Sequence, residues 1–473
     1  MPDVSISTIS GGACSLSQED IDSLQSALRG SVALPGDPSY DEARTLWNAM
    51  IDRSPGLVVR CAGAADVRLA VLLANERGLE VAVRSGGHNI SGKAVCDEGL
   101  LIDLSTMTSV RVDPKTRKAW VEPGALLGDL DKEAQAHALA TPLGVNSTTG
   151  VAGLTLGGGF GWITRKYGMS IDNLISAEVV TAKGEILRAS ESENSDLFWA
   201  LRGGGGNFGI VTGFEFQLHP VGPEVLSGLI VHPLEDAKTL LPAFRDAAKA
   251  APDELTIWSI LRKAPPLPFL PEEWHGKEVL VFALCYCGDM AEGEKAVSTI
   301  RSLGAPIADV VGPHPFVGWQ AAFDPLLEPG ARNYWKSHDF LDLSDEAIDT
   351  LLTAVKNLPT PECEVFIAHV GGAMSRVPTN ATAYPQRASH FIMNVHTRWR
   401  DPSEDTACID WARDLFNKTA PFAIGTVYIN FMPDDEDDRV VDAYGDNYSK
   451  LMEVKKKYDP ENLFRMNQNI TPS

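Results

Sequence analysis

Apolar residues fall at helical spacing over residues 65–78, where Val67, Ala70, Val71 and Ala74 stand at i, i+3, i+4 and i+7. Asp66 would cap this helix and Gly78 would stop it. Residues 17–29 predict another helix, with Ser17 as cap, Asp20 three residues on, and Ile21, Leu24 and Leu28 on one face. Helices are also predicted at 196–201, 236–250, 345–357, 404–417 and 446–457, the last ended by Pro460. Apolar or alternating runs predict strands at 80–83, 214–218, 279–287, 391–399 and 424–432. Helix–strand units fill the chain to about 218, and His219-Pro220-Val221-Gly222-Pro223 marks a boundary. Beyond it the pattern suits an antiparallel sheet with helices on one face, and the prolines at 264–271 predict a surface loop.

The predicted strand at 80–83 runs into Arg84-Ser85-Gly86-Gly87-His88-Asn89. Adjacent glycines expose consecutive backbone N–H groups, a nest that can bind a pyrophosphate without side chains. A neutral imidazole just after the nest is a competent nucleophile toward the 8α-methyl of an isoalloxazine ring. Alone, this run reads equally well as a surface turn with a solvated histidine. A second run, Gly144-Val145-Asn146-Ser147-Thr148-Thr149-Gly150, answers it and continues into a glycine-rich stretch to 161. Gly204-x-Gly206-x-x-Gly209 matches a dinucleotide fingerprint in letters only. Here a helix precedes the glycines and a strand follows, the reverse of a Rossmann unit.

The run T-P-L-G-V-N-S-T-T-G-V-A-G-L-T-L-G-G-G-F-G-W, with D-L-F-W-A-L-R-G-G-G-G-N-F-G-I-V-T-G-F-E after it, resembles the berberine bridge enzyme-like flavoproteins of the vanillyl-alcohol oxidase superfamily. The resemblance extends to 40–48 and 58–61, and to Y-I-N-F (428–431) and Y-D-P-E-N-L-F-R-M-N-Q-N-I (458–470). It implies an α+β chain with a PCMH-type FAD-binding domain at 1–218 (core about 53–222). An antiparallel-sheet substrate domain follows at 219–433, and a segment at 434–473 returns to the FAD domain. It implies FAD bonded covalently to His88 and cradled by Arg84, Ser85, Gly86, Gly87, Asn89, Thr149, Gly150, Gly153, Gly157, Gly158 and Ile210. Asn467 and Asn469 would meet the isoalloxazine edge. Family members with a second tether carry a cysteine where Asn146 stands, so one histidyl bond is expected. Thr149 falls where oxidases of the family often carry valine, which favours oxygen access. Phe160 replaces a tyrosine of alcohol-oxidising plant members.

Composition narrows this reading. A formal charge of −22 argues against a nucleic-acid partner. No run approaches a membrane span, and residues 1–15 carry no secretory signal, so a cytoplasmic protein is expected. Seven scattered cysteines predict reduced, packed thiols and no metal site, Cys285-x-Cys287 included. The acidic run Asp434–Asp438 reads as a solvated loop, and Lys455-Lys456-Lys457 as a charged helix end.

Flavin oxidation needs a hydride delivered to N5 and often a base for the accompanying proton. If 424–432 is a strand, Tyr428 and Asn430 share a face. Tyr428 is then the preferred base, provided a nearby cation depresses its phenol pKa. Asn394 and His396 share a face of the 391–399 strand. Aligned on Trp399, Asn394 falls where relatives place a catalytic Glu or Gln, and His396 is the second candidate base. The expected activity is an FAD-dependent oxidase that takes hydride from a small alcohol, amine, alkaloid or sugar and reduces O₂ to H₂O₂. The alternatives are a dehydrogenase with another acceptor and a non-catalytic flavin-binding protein.

Overall fold

A computed structural model describes residues 3–473. Near the N-terminus, the helix Ala64–Arg77 buries Val67, Ala70, Val71 and Ala74 against Leu57, Val59, Leu100 and Ile102. Those strand residues belong to a four-stranded sheet in the order 31–33, 57–60, 100–103, 81–84, whose last three strands are parallel. Gly78 ends the helix in the left-handed conformation, φ +61°, where a side chain would be strained. Asp66 does not cap its helix, because Gly63 holds that place. Its carboxylate instead accepts the backbone N–H groups of Arg29, Gly30 and Ala62. Ser17 and Asp20 do form a capping box, on the helix Gln18–Ala27.

A five-stranded antiparallel sheet, in the order 186–190, 174–180, 210–217, 118–121, 110–113, lies beside the first. The helix Ser195–Leu201 enters the glycine loop and the strand Ile210–Gln217 leaves it, which is the non-Rossmann order.

From Glu224 to Trp399 the chain builds an eight-stranded antiparallel sheet. Alternation along each strand decides what each face does. Leu255, Ile257, Leu261, Val365, Ile367, Met393 and Val395 pack on one face beneath the helices 237–250, 290–301, 345–355 and 405–419. Trp258, Ile260, Ala368 and Ile392 point the other way and join Phe160, Trp162 and Tyr428 of the flanking segments. This second face covers the candidate site.

Residues 427–470 pack back into the core of the five-stranded sheet through Val427, Ile429, Tyr444, Leu451, Val454 and Ile470. The expected strand at 424–432 does not form. Tyr428 is extended and Ile429–Phe431 is a single 3₁₀ turn. In the run 434–438, Asp434, Asp435, Asp437 and Asp438 are exposed as expected, but the segment is a kinked 3₁₀ helix with charge partners and not a free loop. Asp434 and Asp437 pair with Lys93 of the N-terminal body, while Asp435 meets Lys336 and Tyr334 of the large sheet and Arg413 of the helix 405–419 packed on it. Glu436 is buried between Lys336 and Arg439. The run is an ionic seam joining the two bodies.

Lys455, Lys456 and Lys457 do lie in the last turn of the helix Tyr448–Tyr458, but Lys455 turns inward. It is fully buried and donates to Asp459 Oδ2 at 2.7 Å, Asn207 O at 2.8 Å and Phe464 O at 3.0 Å. Among the described residues, no helix is long and apolar enough to cross a membrane, and no group of His, Cys, Asp or Glu could hold a metal ion.

Candidate active site

A cavity of about 360 Å³ runs between the two bodies. One wall is the pair of glycine loops. They meet so closely that a Cβ on Gly86 would lie 2.5 Å from Gly150 N, and one on Gly150 would lie 2.6 Å from Gly86 N. Gly87 has φ +70°, so the turn after the strand 81–84 depends on glycine.

His88 follows that turn and faces the cavity, its ring stacked on Trp47 at 5.1 Å and 18°. Burial pushes its pKa down to about 3, so the imidazole is neutral near pH 7. Its Nε2 lies 3.0 Å from Thr148 Oγ1 and its Nδ1 3.5 Å from Thr149 Oγ1.

The opposite wall comes from the large sheet. Arg262, Glu364, His396 and Trp335 stand directly opposite one another on four successive strands and form one cross-strand row. Arg262 Nη1 donates to Glu364 Oε2 at 2.6 Å, and His396 Nδ1 lies 3.3 Å from Glu364 Oε1. The Arg262 guanidinium and the His396 contact outweigh burial and hold the Glu364 carboxyl below its usual range. All four side chains line the cavity among Trp258, Ile260, Phe323, Phe366 and Phe431. The result is one fixed carboxylate–imidazole pair in an aromatic box.

Tyr428 closes the end between the walls. Its oxygen accepts Gly159 N–H at 2.9 Å and Asn430 Nδ2–H at 2.8 Å. With both acceptor positions used, the phenol's own hydrogen is free to point into the cavity. Burial outweighs those two hydrogen bonds and pushes its pKa up to about 12. No cation figures among the groups acting on it, so the condition on which it could serve as a base is not met.

Two family descriptions match the sequence: "FAD binding domain" over residues 55–190 and "Berberine and berberine like" over 427–471. An FAD-linked oxidoreductase of Dictyostelium discoideum is 32% identical over 452 residues, spanning 94% of this chain and 95% of that protein. The chain belongs to the berberine bridge enzyme-like FAD-linked oxidoreductases. The crystal structure of 6-hydroxy-D-nicotine oxidase from Arthrobacter nicotinovorans matches with a TM-score of 0.84 at 28% identity, covering 94% of this chain and 98% of that one. A chitooligosaccharide oxidase matches with a TM-score of 0.83 at 25% identity, covering 96% and 99%.

The residues of this berberine bridge enzyme-like chain fit FAD. Gly153 and Gly206 would direct a Cβ into open space, and both line the cavity. Asn467 Oδ1 is buried on the wall with no protein partner, an acceptor waiting for a ring N–H. Ser85, Gly86, Gly87, His88, Asn89, Thr149, Gly150, Gly153, Gly157, Ile210 and Asn467 all lie on the wall.

Four expected residues do not. Arg84 turns to Asp103 and Thr45 O. Gly158 backs onto Met169 and Tyr428. Asn469 lies outside the lining, and Gln468 lines it instead. Asn394 is fully buried in the next row, opposite Ser337 and Phe366, and off the wall.

Sequence reasoning passed over Glu364, Arg262, Trp335 and Trp47. The one available signal was Glu364 and Phe366 at alternate positions of E-V-F-I-A-H, a strand not singled out by its pattern.

Proposed function

We propose that this chain oxidises a small aromatic or heteroaromatic amine or alcohol, with flavin attached at His88 and O₂ as the electron acceptor. The observation that carries the reading is the row Arg262–Glu364–His396–Trp335, a single polar pair set among aromatic rings across from the glycine loops. FAD supplies the two-electron acceptor, taking hydride at N5 and passing the electrons to O₂.

The chain's residues do the rest. Trp258, Trp335, Phe366 and Phe431 hold a flat substrate and keep water away. The Glu364–His396 pair takes the proton from the substrate's O–H or N–H, its carboxylate kept ionised by Arg262. Tyr428 donates its O–H to the substrate's heteroatom. Asn394 has no catalytic part in this scheme. Residues 1–218 and 434–473 form the flavin-binding part, and 219–433 form the substrate part. The similarity to 6-hydroxy-D-nicotine oxidase supports an aromatic amine. Asn146, in place of a second tethering thiol, speaks against a long carbohydrate substrate.

A panel of aromatic amines, alcohols and sugars, screened anaerobically for flavin bleaching and then opened to air, tests this. An aromatic donor should bleach the flavin, and air should restore colour with release of H₂O₂. If sugars alone bleach it, the substrate reading is wrong. A bleached enzyme that stays colourless in air is a dehydrogenase, and no bleaching at all means a binding protein. Acid-precipitated protein should stay yellow, and His88→Ala protein should release its colour.

A further inference from the structure

We propose that Asn146 and Thr148 fix the tautomer and facing of the His88 ring, and so select Nδ1 as the atom that bonds to the flavin. This rests on the covalent attachment proposed above.

The hydrogen bonds leave one consistent assignment. Asn146 Oδ1 faces Thr148 N at 3.1 Å, and a backbone N–H can only donate, so that atom of the amide is its oxygen. The same oxygen lies 2.7 Å from Thr148 Oγ1 and can only accept, so the Thr148 hydroxyl gives its hydrogen to Asn146. Thr148 Oγ1 then has only lone pairs to offer the ring atom 3.0 Å away, and His88 Nε2 carries the hydrogen. In a neutral imidazole the other nitrogen is bare. Nδ1 is that nitrogen, and its nearest hydroxyl, on Thr149, stands at 3.5 Å, the limit of hydrogen bonding. Trp47, stacked on the ring, fixes its plane. Burial, which holds the imidazole neutral, keeps the lone pair available.

The chemistry balances with dioxygen as oxidant. A bond forms between Nδ1 and the 8α-carbon. One C–H bond of that methyl and the Nε2–H bond break, each releasing a proton. Two electrons pass through the flavin ring to O₂, which leaves as H₂O₂. A threonine hydroxyl suits the position because it accepts from Nε2–H beforehand and can turn to donate to bare Nε2 afterwards. Asn146, at the place of the absent second thiol, thus takes part in forming the first bond.

The test uses holoenzyme of wild type, Thr148→Val, Thr148→Ser, Asn146→Ala and Asn146→Asp, measured for flavin bound to native protein and flavin retained after denaturation. Thr148→Val and Asn146→Ala should keep native flavin but acquire the covalent bond about five- to tenfold more slowly, the effect of losing one buried hydrogen bond. Thr148→Ser and Asn146→Asp keep the acceptor and should restore the rate. NMR of the isolated flavin peptide should show attachment through Nδ1 in wild type. In Thr148→Val, where the ring can turn over, Nε2-linked peptide should appear beside it. A wild-type Nε2 linkage, or Thr148→Val acquiring the bond at the wild-type rate through Nδ1 alone, overturns the proposal. A wild-type chain that sheds all its flavin on denaturation overturns the attachment itself.

Discussion

Glu364→Gln should separate the chemistry of the cross-strand row from its contribution to stability. The carboxylate lies 2.6 Å from Arg262 Nη1 and 3.3 Å from His396 Nδ1, with the Arg262 and Glu364 side chains only 11% and 13% exposed. Breaking a buried ion pair from one side costs about 3–5 kcal/mol. Glutamine keeps a hydrogen-bond acceptor for one neighbour, so the expected loss is at the low end, about 3 kcal/mol. A lost general base slows the chemical step by roughly 10²–10⁴. Thermal unfolding reads the first effect, and anaerobic stopped-flow reduction of the flavin reads the second. Because Arg262 and His396 hold the Glu364 pKa below 4.5, the pair's stability is fully present above about pH 4.5 and is lost as the pH falls through the lower folded value. Arg262→Met supplies the control. It should destabilise comparably yet retain flavin reduction, with the acid limb of the rate moved to higher pH. If Glu364→Gln reduces flavin within about threefold of wild type at every pH while its melting temperature falls, the pair only ties strands together, and the assignment of the base fails.

Tyr428→Phe removes the acceptor shared by Gly159 N–H and Asn430 Nδ2–H. It should cost about 1–3 kcal/mol in stability and about five- to tenfold in flavin reduction, and a loss beyond a hundredfold would restore Tyr428 as the base. Thr149→Leu should slow reoxidation of the reduced enzyme by air more than it slows reduction by substrate, and equal effects in stopped flow would make Thr149 a packing residue. Lys455→Met strands the buried Asp459 carboxylate and two carbonyls, so chemical denaturation should show a loss of about 3–5 kcal/mol. Adding Asp459→Leu should recover part of that loss, and no recovery would mean that packing, not charge, fixes this corner.

What could be read from sequence was what repeats locally. The helices at 64–77, 237–250, 345–355 and 405–419 announce themselves through apolar stripes, and the glycine loops through residues that only a close backbone approach explains. V-Y-I-N-F deceived because alternation is also what a turn produces when Val427 and Ile429 are buried and Tyr428 faces a cavity. Asn430 reaches Tyr428 through a 3₁₀ turn and not along a strand face. Beyond the alternation of Glu364 with Phe366, Glu364 and Arg262 carry no local signal, since the partner that makes each tolerable inside a sheet lies 102 residues away in the chain. The acidic run hides its pairing for the same reason, since Lys93 and Lys336 lie far from it in the chain. A charge looks like surface until its distant counter-charge is known.

The return of the C-terminal segment sets the order of events during synthesis. Asn207 Oδ1 accepts Ile470 N–H, and Asn207 O accepts Lys455 Nζ–H, so the glycine loop that lines the cavity is fastened by residues up to 263 positions later. At 5–20 residues per second a ribosome takes about 13–50 s to cover that interval. Until the segment 427–470 is made, the cavity lacks its last wall, including Tyr428 and Asn467. The cavity is therefore closed only once residues through 470 are made, and a chain truncated before them presents the glycine loop without the segment that fastens it.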